Sequence, residues 1–185
     1  MISFGNEYKD AKANTGDFVK LPAGGYVARI TAAEYKLEDK PYLLCTYDIA
    51  EGEYKGYYDD DFGKEHPYAH QFRQYNTPKS AGAFKGFLRN IDMSNGTNFV
   101  KTSEETKALN EQELVGKLIG IVIAYKERAN DRGEIREVSF VDKYRTVDGI
   151  RQGRFKVPEL VKLPQQPNTP PEGFENVSAD DLPFF

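Results

Sequence analysis

Two parts of the chain alternate apolar and polar residues at period two, the mark of strands that bury one face. In residues 24–48, GGYVARITAAEYKLEDKPYLLCTYD, the side chains of Tyr26, Ala28, Ile30 and Ala32 fall on one face. After a polar turn, Leu43, Cys45, Tyr47 and Ile49 repeat the pattern. Pro41 has no N–H to give to a ladder, so it belongs at a strand start. The second part opens with residues 116–128, GKLIGIVIAYKER. Ile119, Ile121, Ile123 and Tyr125 share a face, and Val122 with Ala124 predicts a strand covered on both sides for part of its length. The chain turns through ANDRG and returns over 134–145, where Val138, Phe140 and Tyr144 alternate with polar positions.

Between the hairpins, residues 54–62, YKGYYDDDF, predict a third strand after the turn at Glu51-Gly52. The period then changes to that of a helix. Phe84, Phe87, Leu88 and Ile91 form one stripe behind Ser80 as cap, and Asn95-Gly96 ends it. Gly82 and Gly86 inside this helix cost about 1 kcal/mol each relative to Ala and predict close packing on the sheet. A second short helix is predicted from Thr102 or Ser103 to Leu109. Three strands, a helix and a hairpin are the element order of an OB-fold. The predicted class is therefore mainly β, a five-stranded partly open barrel with a helix between strands 3 and 4. The boundaries follow: a leader over 1–23, the OB-fold domain over 24–162 and a tail over 163–185.

Composition adds a binding face to this scaffold. The chain has twelve Tyr, twelve Phe and no Trp among 185 residues. The face of the first hairpin opposite its apolar stripe carries Arg29, Tyr35, Lys36, Tyr42 and Thr46, rings mixed with cations. Residues 63–79, GKEHPYAHQFRQYNTPK, predict a basic and aromatic loop, with Lys64, Arg73 and Lys79 among Tyr68, Phe72 and Tyr75. Rings that stack on bases and cations that meet phosphates are what a single-stranded nucleic acid needs. Strand propensity alone also favours aromatic residues, and rings on a strand face can equally build a homo-oligomer interface.

The net charge of -4 would argue against such a partner if it were evenly spread. It is not. Residues 143–162 hold six positive side chains, among them Arg145, Arg151 and Arg154, against two negative ones. Residues 163–185 hold no positive charge, four negative charges and five of the ten prolines, a composition that predicts a disordered acidic tail. Its final residues, Asp180, Asp181, Leu182, Pro183, Phe184 and Phe185, join two carboxylates to large apolar groups, as in a peptide that docks in a partner's pocket.

That tail resembles the acidic C-terminus of bacterial single-stranded-DNA-binding proteins, which ends in aspartates, an aliphatic residue, a proline and a phenylalanine. Here one more Phe follows. The stretches LPAGGYVARI, YDIAEGEYKGYY, FKGFLRNID and ELVGKLIGIVIAYKE resemble a family of single-stranded-DNA-binding phage proteins of Gram-positive hosts. The resemblance implies a sequence-tolerant protein that coats single-stranded DNA in phage replication, recombination or repair. Its tail would recruit replication and recombination proteins.

Other chemistry is poorly supported. Asp59, Asp60 and Asp61 suggest a metal-dependent nuclease, but on a strand at most Asp59 and Asp61 share a face. His66, His70 and Cys45 are too scattered for zinc. Gly116-Lys117 lacks the surroundings of a phosphate loop. The expectation is a non-enzyme without cofactor or metal; a nuclease and a pure protein-interaction module are the alternatives. The single cysteine, the lack of an apolar leader and the lack of an 18-residue apolar run predict a cytoplasmic protein away from membranes, in the host cytoplasm if phage-encoded.

Overall fold

A computed structural model describes residues 20–59, 63–64 and 66–164. Five antiparallel strands form one sheet in the order β3-β2-β1-β4-β5. They are β1 (Gly24–Lys36), β2 (Tyr42–Ile49), β3 (Gln71–Tyr75), β4 (Leu118–Ala129) and β5 (Ile135–Arg145). Helix α1 (Ala81–Asn95) and helix α2 (Phe99–Thr106) lie between β3 and β4, and the single-turn helix α3 (Val147–Arg151) follows β5. The fold is mainly β. Its sheet is not closed by hydrogen bonds, since β3 and β5 are edges. Side chains bridge them instead: the rings of Phe72 on β3 and Tyr144 on β5 lie 5.1 Å apart, and Phe87 of α1 sits 5.7 and 5.0 Å from the two. None of the helices in the described residues is long and apolar enough to cross a membrane.

The third strand is not where alternation predicts it. Residues 51–58 are successive turns, with Lys55 N–H bonded to Gly52 O, Tyr57 N–H to Tyr54 O and Asp59 N–H to Gly56 O. Gly52 and Gly56 both take positive φ, 84° and 73°, which a strand does not use. The strand lies inside the predicted loop, at Gln71–Tyr75. The buried Gln74 on its inner face hides the alternation.

Two bulges also shift faces. The β1 register slips between Ile30 and Ala32, so Ala33 turns inward where Ala32 was expected, and Tyr35 follows it to the core side. In the β4–β5 ladder the slip lies between Val122 and Ile123, opposite Asp142. Val141 and Tyr144 therefore pack on the core, while Phe140 lies on the outer face under the Lys126 ammonium.

The core fills the inner side of the sheet with Ile30, Leu43, Cys45, Ile49, Ile119, Ile121 and Ile123 against Phe87, Leu88 and Ile91 of α1. Burial pushes the Cys45 thiol up to about 12, so it is a small apolar filler. Gly82 and Gly86 face open space, which corrects the expectation that they allow a close approach to the sheet. Gly96 ends α1 in the left-handed conformation, φ 66°. Helix α2 starts three residues before the earlier of its two expected first residues. Both oxygens of Asp92 reach it from α1, accepting from Phe99 N–H at 2.7 Å and Val100 N–H at 2.9 Å.

After β5 the chain folds back over the outer face of β1 and β4. A Cβ on Gly25 would fall 2.4 Å from the Phe155 ring, and one on Gly120 would fall 2.6 Å from Ile150. Under this cover Val27, Val122, Ala124 and Val147 form a second buried layer. Val161 then runs parallel to Lys126 as a one-residue bridge, bonded to Tyr125 O and Glu127 N–H.

Candidate nucleic-acid interface

The outer face of β1–β2–β3 is left open by that cover. The ladder sets its side chains in rows across three strands. Lys36 pairs with Tyr42 and Tyr42 with Tyr75; Glu34 pairs with Leu44 and Leu44 with Arg73; Ala32 pairs with Thr46 and Thr46 with Gln71. Alternation puts these residues on one face because each row is two residues from the next.

Tyr42, Arg73 and Tyr75 of the first two rows, with Glu38, Asp39 and Lys40 of the β1–β2 turn, line a cleft of about 560 Å³. The Arg73 guanidinium lies over the Tyr42 ring, 4.8 Å from its centroid. The Tyr42 and Tyr75 rings meet edge to face at 5.8 Å. Tyr42 is thus covered, while Tyr75 remains 41% exposed. The Tyr42 hydroxyl donates to Glu38 Oε1 at 3.0 Å, and this bond, with desolvation, raises its pKa. Lys36 donates to Glu34, which raises the ammonium pKa. In the third row Gln71 Nε2 donates to the Thr46 hydroxyl at 3.1 Å. What the arrangement offers is a planar cation fixed on one ring, a second ring with a free side, and cations at the rim. It is a surface suited to stacking and ion pairing.

The residues singled out from sequence divide. Tyr42, Arg73 and Tyr75 come together in the cleft, and Lys36 stands beside Tyr42 in the ladder. Arg29 is exposed on the same face, beyond the Gln71 row, and donates to Gly116 O at 3.2 Å. Tyr68 is 71% exposed just before β3, with its ring 5.6 Å from that of His66. Lys79 is exposed. Lys64 is exposed and pairs with Asp59 at 3.5 Å. Phe72 is only 6% exposed and belongs to the core, so it offers no ring to a ligand. Tyr35 is turned inward by the β1 bulge, and its hydroxyl accepts from Asn76 Nδ2 at 2.9 Å.

The basic strip stands apart from the cleft. Arg145 is half-buried and bonds Tyr144 O; Arg151 on α3 is held by both Glu51 oxygens, at 3.1 and 2.6 Å, and by Asp148 at 3.5 Å. Arg154 is exposed nearby. Asp180, Asp181, Leu182, Pro183, Phe184 and Phe185 lie outside the described residues, as do Asp60 and Asp61 and the leader up to residue 19.

Sequence reasoning missed Glu38, Asp39 and Lys40 as cleft residues. The signal was available: they form the polar turn joining the two strands whose outer faces carry the rings and cations. Compared with models of known protein families and with curated proteins, the chain matches none of them.

Proposed function

We propose that the protein binds single-stranded DNA, without strong dependence on sequence, on the open outer face of β1–β2–β3. The observation that carries this is the row Lys36–Tyr42–Tyr75 with Arg73 fixed over Tyr42, on a part of the sheet that the other described residues leave open. Unpaired bases expose faces that stack on Tyr75 and on the guanidinium plane, while a duplex hides them. The strand order supports an OB-type scaffold. Each neighbour pair is one an OB barrel uses, and the opening falls between its third and fifth strands. Its binding surface is the strand 2–3 face with the adjoining β1–β2 loop, where the cleft lies. The protein acts without catalysis, as a strand-coating factor of phage replication and recombination. Residues 180–185 serve as its recruiting peptide for partner proteins.

The test is a salt titration of binding to oligo-dT and to duplex of equal length. Affinity for oligo-dT falls as salt rises, and duplex binds more weakly. Tyr75→Ala weakens oligo-dT binding by about 1–3 kcal/mol while leaving the thermal unfolding temperature near that of the parent. Absent or salt-insensitive binding to oligo-dT refutes the proposal.

A further inference from the structure

A cleft that served only phosphates would exclude carboxylates, yet this one contains two. Glu38 and Asp39 share its lining with Arg73 and Tyr75. Glu38 is oriented, since the Tyr42 hydroxyl holds its Oε1 at 3.0 Å. Both acids are exposed, and among the described residues Glu38 Oε2 and both Asp39 oxygens accept no hydrogen bond, so the lining holds acceptors open to a ligand beside stacking groups. The same acids repel the sugar-phosphate backbone, which leaves the cleft to a part of the nucleotide that carries no charge and brings N–H donors.

We infer that Glu38 and Asp39 read the Watson–Crick edge of a nucleobase held against Arg73 and Tyr75, and that the cleft therefore favours guanine over thymine. This rests on the single-strand reading above. Guanine presents N1–H and its 2-amino group side by side, two donors for carboxylate oxygens. Thymine presents one N–H between two carbonyl oxygens, which the acids repel. Cytosine and adenine, each with one amino group beside a ring acceptor, fall between. The cleft's volume of about 560 Å³ exceeds that of one base, and Lys40 at its lining is placed for the adjoining phosphate. Arg73, seated on Tyr42, keeps its other plane for stacking. Binding stays tolerant of sequence along the rest of the face, with one position per protein that discriminates.

The experiment compares the full chain on oligo-dT and on alternating dT/dG of equal length at one salt concentration. The expected result is tighter binding to the alternating strand by about fivefold, the low end for a carboxylate pair reading a base edge at an exposed site. The double variant Glu38→Ala with Asp39→Ala is expected to bind oligo-dT more tightly, because repulsion is gone, and to bind both strands alike. Equal affinity of the parent for both strands, or a preference that survives in the double variant, overturns this inference and leaves the single-strand reading standing. No binding of either strand by the parent removes both.

Discussion

The two halves of the outer sheet face are built from one strand yet end differently. Over the first part of β1 and over β4, the face is sealed by the chain's own return, with Phe155 on Gly25 and Ile150 on Gly120. Over the second part of β1, with β2 and β3, it is open and carries Lys36, Tyr42, Arg73 and Tyr75. The sequences differ in the way this requires. Residues 119–124 of β4 are all buried, apolar residues and one glycine in a run, as expected of a strand covered on both sides. In β2 and β3 the outward positions Tyr42, Thr46, Asp48, Gln71, Arg73 and Tyr75 are polar or aromatic, with Leu44 the one aliphatic residue among them. Glycine decides where the cover can lie, because only a missing Cβ leaves room for the two side chains above it. A closed face thus supports the fold, and the face left open is free to bind.

Perturbing the scaffold under the open half should have the largest effect. Phe72→Ala empties a core position shared with Phe87, Tyr47 and Tyr144, so its expected cost is about 3–5 kcal/mol in denaturant unfolding. An unfolding midpoint near that of the parent would show that Phe72 is not the plug between β3 and β5. On the sealed half, Gly25→Ala drives a methyl into the Phe155 ring and should cost about 1–3 kcal/mol. Combining it with Phe155→Ala should cost less than the two changes added together, because the clash is then absent. Additive losses would mean that the cover does not rest on Gly25.

The smallest effect concerns the pair that ties the covering helix α3 to the turn after β2. The Arg151 hydrogen bond holds the Glu51 carboxyl below its usual range. A lowered folded pKa gives stability that is present above the unfolded carboxylate value and fades as pH falls through the folded one. Glu51→Gln should therefore leave a stability curve with a shallower acid limb. A curve of unchanged slope through that range would show that the pair adds nothing.

Much of this architecture was legible. The two hairpins, the apolar stripe of α1 and its Gly96 stop follow from period and cap chemistry, because local spacing determines them. What stayed hidden depends on residues far apart. A bulge at Thr31 is an extra residue that strand periodicity cannot register, and it moved Tyr35 off the predicted face. The turns after β2 read as a strand because their tyrosines mimic alternation, although Gly52 and Gly56 were the available warning. The start of α2 depends on Asp92, a residue of the preceding helix. The candidate cleft was half legible: Tyr42, Arg73 and Tyr75, chosen by type, do line one cleft, while Phe72, also chosen by type, sits one residue from Arg73 and points into the core.

The bridge between Val161 and Lys126 fixes the address from which the remaining chain departs. Leu163 N–H bonds Glu127 near the far end of β4, past the point where β1 begins, while the cleft sits where β1 finishes. Thirteen residues of β1 separate these places, on the order of 40 Å along the strand. The last described residues therefore leave the domain at the opposite end of β1 from the cleft, and any route from one to the other runs the length of that strand.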